Sequence, residues 1–385
     1  MDTEGKVGRP GLPGLSRRSF LAMAAAAGAA AFLASHGPAV AAAVGSSGKK
    51  ILWLRGAGCG GCTASLLNGG NPDVLAALEA IRVDLAYHDG LMAQQGIFIE
   101  GEPANSEKYN ANVKLDAIVD EGDYVLVVEG AVPNGPDGSG RYCTTGGKAL
   151  KDVFAAAAEN ASAIVAAGTC ASFGGVSAAA RAATDARGLA FAGASRFKGI
   201  MSELGMKKDV VNVPGCPLHP DWLLLTLADL ARGAAVETDD YRRPVAFFSG
   251  SIHTSCPRRG YYDVSRRDGG FAEGQCLYNL GCKGPVAYAD CAVRRWNGGA
   301  SMCTMAGGPC IACVEPGFPD AFSPFYQRIE ERNILSGLDV DTGAKIILGA
   351  SVLGAGIHAV KRLAIGDSDR EEEPGKEKGK GKRGL

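Results

Sequence analysis

Between residues 50 and 232 the apolar and polar positions fall into blocks that predict alternating strands and helices. "KKILWLR", "YVLVVEG" and "ASAIVAAG" are short apolar runs of the kind found in buried strands, and "RVDLAYHD" alternates apolar and polar residues as a strand does. "DVVNVPG" is a further strand. "PDVLAALEA", "KALKDVFAAAAEN" and "HPDWLLLTLADLARG" carry helical spacing. This βα rhythm predicts an α/β fold with a parallel sheet covered on both faces. Loops bearing glycine and cysteine follow the strands, and open α/β sheets bind ligands at that edge.

From about residue 245 the rhythm fades, and Gly, Pro, Cys and aromatic residues dominate through residue 326. Such a segment is expected to fold around metal centres rather than around an apolar core of its own. The pattern therefore divides the chain into a sheet domain (48–235), a small irregular cluster domain (245–326) and a linker (327–343). The ends differ from both. Arg17 and Arg18 precede an alanine-rich run from Leu21 to Leu33, and small residues stand at Ala41 and Ala43, which reads as a twin-arginine export signal over 1–43. That route carries proteins already folded, as a chain loaded with a cofactor in the cytoplasm requires.

Near the C-terminus, Ile346 to Val360 carry no charge, between Lys345 and the pair Lys361–Arg362. A membrane span needs about 20 residues, and basic side chains at each end extend the apolar length. The run over 344–364 reads as a transmembrane helix, with a buried soluble helix as the alternative. Ala350 and Gly354, like Ser351 and Ala355, would let another helix approach closely. The following basic residues place the C-terminal end in the cytoplasm, and so the body on the outer face of the cytoplasmic membrane. The charged, glycine-rich tail 365–385 reads as disordered.

Composition narrows the chemistry. A net charge of −1 on 385 residues gives no sign of a nucleic-acid partner. Twelve cysteines, unevenly spaced on a chain this long, do not describe a small disulfide scaffold. They form three groups: Cys59, Cys62, Cys170 and Cys216, each in or beside a loop after a strand; Cys256, Cys276 and Cys282 with His253; and Cys291, Cys303, Cys310 and Cys313. Eleven cysteines and one histidine make three sets of four donors, and Cys143 is left over. Structural zinc favours tight pairs close in sequence, whereas the first set spans about 150 residues. Sets of irregular spacing suit 4Fe–4S clusters. Zinc or disulfides remain the alternatives. A histidine in place of one thiolate makes a cluster less negative and raises its potential.

The chain resembles the small subunit of exported, membrane-bound nickel–iron hydrogenases. The resemblance rests on "CGGC", "VVEG", "GTCASFGG", "PGCPLHP", "HTSC", "GQCLYNLGCKGP" and "PCIACVEP…PFY", together with the export signal. It implies a flavodoxin-like domain whose proximal cluster is held by Cys59, Cys62, Cys170 and Cys216. It implies a distal cluster at His253, Cys256, Cys276 and Cys282 and a medial one at Cys291, Cys310 and Cys313. It further implies a large partner subunit with the nickel–iron centre, a membrane b-type cytochrome that reduces quinone, and His358 either as a haem ligand at that contact or as a helix-packing residue. Glu129 is implied to lie on a loop near the proximal cluster, without a ligand role.

Departures from the family pattern refine this. Gly60 stands where threonine is common, and Gly61 and Gly175 stand where oxygen-tolerant relatives carry extra cysteines, which implies an ordinary 4Fe–4S proximal centre. Cys303 replaces a proline that accompanies a 3Fe–4S medial cluster and so favours 4Fe–4S there. Cys143 reads as a buried free thiol. Two other readings compete: a stand-alone iron–sulfur carrier, and a quinone-reductase subunit like that of respiratory complex I. The latter usually has adjacent cysteines in its first motif and lacks the second domain.

Overall fold

The computed structural model describes residues 48–328, apart from residues 71, 95–97, 100–101, 104–108, 268–269 and 272–273. Five parallel strands form its centre: β1 (Lys49–Arg55), β2 (Val83–His88), β3 (Tyr124–Glu129), β4 (Ala161–Ala167) and β5 (Val210–Val213), in the order β5-β4-β3-β1-β2. The order reverses at β1, so the crevice between the ends of β1 and β3 is the switch point where such sheets bind ligands. Period-two alternation assigns the strand faces. Ile51, Trp53, Val125, Val127 and Val165 point to one core, and Leu52, Leu54, Leu126, Val128 and Ile164 to the other.

Helices α1 (Gly61–Leu67), α2 (Val74–Ala80) and α6 (Pro220–Ala231) cover the first face. Helices α3 (Ala111–Glu121) and α4 (Leu150–Asn160) cover the second. α2 starts where the pattern predicts because the Asp73 carboxylate accepts the Ala76 N–H at 3.0 Å. The apolar pattern does not mark α3. It buries only Leu115 and Ile118, so its apolar stripe is thin, although Asn110 caps it. A short helix α5 (Gly168–Phe173) replaces the loop expected in "GTCASFGG". Glu129, expected on a loop, is the last residue of β3, in register with Arg55 and Ala167. Its backbone is therefore held by the sheet on both sides.

The segment after residue 245 has only short helical turns, as expected, yet it does not dispense with an apolar core. Phe247, Phe248, Ile252, Ala289, Met302 and Val314 belong to the same buried cluster as α6 and the first sheet face. Helix α6 is the hinge of that continuity. Its Trp222 is fully buried, packs at a tilt against Phe248 and edge-on to Trp296, and donates its indole N–H to Asp290 at 2.7 Å. Asp290 in turn holds Arg294.

Among the described residues no helix is long and apolar enough to cross a membrane. The expected export signal (1–43), the run 344–364 with His358, the tail 365–385 and most of the linker lie outside the described residues. The Trp222–Asp290 clamp carries a prediction: Trp222→Phe should lower stability by about 2 kcal/mol. Limited proteolysis should then cut between residues 245 and 326 faster than in the parent, and an unchanged digestion rate would show that the clamp is dispensable.

Candidate metal centres

The first cysteine set is built at the carboxyl ends of β1, β4 and β5. Gly60, with φ of 74°, turns the chain into α1, so Cys59 precedes the helix and Cys62 falls in its first turn. A buried carboxylate holds that turn. Glu129 Oε1 accepts the N–H groups of Cys62 and Thr63 at 3.0 and 3.1 Å. Its Oε2 accepts the Thr63 hydroxyl and, at 3.2 Å, the Trp53 indole N–H. The free amides at the start of a helix favour a negative charge there.

His88 supports the same group. Its Nδ1 accepts the Gly90 N–H at 3.1 Å, so Nε2 bears the proton and donates to Thr63 Oγ1 at 3.1 Å. Burial, opposed by Glu129 and assisted by Arg55, pulls His88 down to about 4, so the ring is neutral near pH 7.

Two glycines let the sulfurs approach. Gly168 has φ of 87°, and a Cβ there would lie 2.4 Å from Cys62 Sγ. A Cβ on Gly175 would lie 2.9 Å from Cys170 Sγ, so the glycine seen in place of an extra cysteine does face this set. The four thiols share one environment. Burial raises Cys62, and Glu129, Cys170 and Cys216 raise it further. Burial pushes Cys216 up to about 11, with Cys170 and Cys59 adding to the shift. Cys59 and Cys216 are exposed, so this set opens to the surface.

The second set lines one recess, in which His253, Cys256, Cys276 and Cys282 face each other beside Thr304. The His253 N–H donates to Gly284 O at 3.1 Å, and the Cys256 N–H donates to His253 O at 3.2 Å, closing a turn that carries both donors. Burial lowers His253, and the nearby Arg259 adds to this, which keeps the imidazole neutral and able to bind metal. Tyr262 packs edge-on to the His253 ring at 4.6 Å.

The third set surrounds a cavity of about 290 Å³ lined by Cys291, Cys303, Cys310 and Cys313, with Cys216 at its margin. Cys303 faces both Cys291 and Cys313, raising each thiol beyond the effect of burial. Cys143 lies apart from all three sets. It is half-buried and packs against the opposite sheet core.

The sets stand in a definite spatial order. Cys216 lines the cavity of the third set together with Cys313, and the Thr169 hydroxyl beside Cys170 donates to the Cys313 carbonyl, linking the third set to the first. The Cys310 N–H donates to Cys282 Sγ at 3.3 Å, linking the third set to the second. The third set therefore lies between the other two. Sequence reasoning missed Thr63, His88, Trp53 and Thr169, which support the first set through hydrogen bonds. Only the position of Thr63 and Thr169 beside a cysteine marks them in the sequence.

The donors fit iron–sulfur clusters. Each set combines several sulfurs with backbone N–H groups aimed at sulfur, as from Gly61 to Cys59 and from Ala312 to Cys310. Among the described residues, no three His, Cys, Asp or Glu side chains converge closely enough to hold a single metal ion. No disulfide joins the described cysteines.

A doubly wound sheet with thiols at its strand ends, followed by a cysteine-rich segment sharing its core, places the chain in the α/β class. Residues 248–326 match the family described as the C-terminal region of the NiFe/NiFeSe hydrogenase small subunit, and residues 59–230 match NADH ubiquinone oxidoreductase, 20 Kd subunit. The F420 non-reducing hydrogenase II small subunit of Methanosarcina mazei is 48% identical over 365 residues, covering 92% of this chain and 94% of that one. The periplasmic NiFeSe hydrogenase small subunit of Desulfomicrobium baculatum is 36% identical over 81% of this chain and 98% of its own. The crystal structure of the reduced, active Ni-Fe-Se hydrogenase from that organism superposes with a TM-score of 0.64 at 34% identity, over 74% of this chain and 100% of the other. The chain belongs to the nickel–iron hydrogenase small-subunit family.

Two predictions concern the clamp around Cys62. Glu129→Ala leaves buried donors without an acceptor and should destabilise the protein by about 3 kcal/mol, with Glu129→Gln costing about 1 kcal/mol. Denaturant midpoints measure both, and equal losses would contradict the hydrogen-bond account. The second concerns pH. His88 titrates lower in the fold than unfolded, so its contribution is lost as pH falls below about 6.5. Asp89, raised by burial to about 6, acts in the opposite direction, binding more protons when folded. Relative to the parent between pH 6.5 and 5, His88→Gln should gain stability on acidification and Asp89→Asn should lose it. Parallel curves for all three proteins would refute the assignment.

Proposed function

We propose that this chain is the electron-transfer subunit of an uptake hydrogenase, working beside a large subunit that holds the nickel–iron centre. Oxidation of one hydrogen molecule there releases two protons and two electrons, and the electrons leave through this chain. The observation that carries the reading is the spatial order of the cysteine sets, with the third adjoining both the first and the second. When bound, iron–sulfur clusters supply one-electron stations. The assignment is a proximal 4Fe–4S centre on Cys59, Cys62, Cys170 and Cys216, a medial 4Fe–4S centre on Cys291, Cys303, Cys310 and Cys313, and a distal 4Fe–4S centre on His253, Cys256, Cys276 and Cys282.

The chain's own groups support this use. The exposed first set is where an electron donor protein can abut, because Cys59 and Cys216 reach the surface. The neutral His253 in the second set favours a less negative, higher-potential terminal station. The match to the 20 Kd family lies within the sheet domain, whereas residues 248–326 match the hydrogenase family, which favours a hydrogenase over a complex I-like subunit. Co-purification with a nickel-bearing large subunit separates the hydrogenase from a stand-alone carrier.

The acceptor is proposed to be a membrane b-type cytochrome or another quinone-reducing subunit. Twin-arginine export, an anchoring helix over 344–364, a position on the outer face of the cytoplasmic membrane and haem ligation by His358 belong to the same proposal.

Anaerobic purification of the complex, with metal and sulfide counts and electron paramagnetic resonance, tests the assignment. About twelve irons without an oxidised three-iron signal are expected. Cys303→Ala should then create that signal. About eleven irons with the signal already in the parent would make Cys303 a bystander, and zinc in place of iron would overturn the reading. His358→Ala should abolish quinone reduction and spare dye reduction by hydrogen. Persistence of both activities would remove the haem assignment.

A further inference from the structure

Thr169 is 1% exposed, sits in the first turn of α5 immediately before Cys170, and touches two cysteine sets at once. Its N–H donates to Gly215 O at 3.0 Å, and its Oγ1 accepts the Gly215 N–H at 2.9 Å. This reciprocal pair fixes the residue that precedes Cys216. The same hydroxyl donates its proton to the carbonyl oxygen of Cys313, in the third set. One side chain thus ties the backbone at Cys170, at Cys216 and at Cys313. It does so where Cys216 and Cys313 line one cavity.

The surroundings leave little slack. Gly215 has φ of 154°, and a Cβ on it would meet Pro217 O at 2.6 Å and Leu218 Cα at 2.7 Å. Gly168, on the other side of Thr169, lies against Cys62 Sγ. The link between the third and second sets differs. There the Lys283 N–H donates to Cys310 O at 2.7 Å while the Cys310 N–H reaches Cys282 Sγ, and both donors are backbone amides. Thr169 supplies a side-chain hydroxyl to the joint between the first and third sets.

We propose that Thr169 is a positioning residue that fixes the joint between the first and third cysteine sets and so sets the electronic coupling between the centres they hold. This rests on the electron-relay reading of those sets. Cys216 and Cys313 line one cavity, so the hydroxyl ties the two sets where they adjoin. Without the hydroxyl, the Gly215 N–H and the Cys313 carbonyl lose their shared partner. The two backbones then have no common anchor.

The test compares Thr169→Val, which keeps the volume and removes the hydroxyl, with Thr169→Ser, which keeps the hydroxyl, in the purified complex of both subunits. Iron and sulfide counts and the separate paramagnetic signals of the parent test the relay reading itself. The difference between the two variants tests the role of Thr169. Thr169→Val should retain iron in all sets and show altered spin–spin interaction between the first and third centres. Hydrogen-driven dye reduction should fall by about tenfold. Thr169→Ser should match the parent in every measurement. Unchanged splitting in Thr169→Val would overturn the proposal. If Thr169→Val fails to assemble, Thr169→Ser decides: parental spectra support the hydroxyl's role, and altered spectra with full iron refute it.

Discussion

Sulfur taken out of water is the constraint on which this structure depends. Burial raises Cys62, Cys291 and Cys310 well above the ordinary thiol range, and the neighbours within each set raise them further. Thiols gathered in this way stay protonated on their own, because each added negative charge would repel the others in a medium that screens poorly. Coordination to a cationic iron core removes the protons and reverses the sign of the local field. The donor chemistry of the three sets therefore fits iron.

The protein meets this constraint by placing donors on rigid elements. Parallel strands deliver the first set to one edge, and the Glu129 carboxylate, itself on the last residue of a central strand, holds the helix turn that carries Cys62. The third and second sets have little regular structure beneath them, and they borrow rigidity instead. Their apolar residues continue the core of α6, with Trp222 bridging to Asp290. Shared core and shared hydrogen bonds keep the sets in register with one another.

The sheet domain was legible because its signals are local. Period-two strands and amphipathic helices report their own burial, and all five strands lie within the stretches that the pattern marks. Helix α3 escaped because two buried residues make too faint a stripe. The twelve donors are legible by residue type and count, and the structure adds that Cys303 lies beside Cys291 and Cys313. Thr63, His88, Trp53 and Thr169 were not legible. A hydroxyl or an indole carries no mark of its partner when that partner lies tens of residues away.

The amino-acid sequence by itself determined the parallel α/β scaffold, the stock of sulfur and imidazole donors and their partition into three sets. Each of these follows from spacing along the chain and from the chemistry of single side chains. Tertiary structure alone decided that the third set stands between the other two, that Glu129 clamps α1, and that one buried hydroxyl joins two sets. Those facts arise where α6 packs against the segment after residue 245, bringing together atoms that no local periodicity relates.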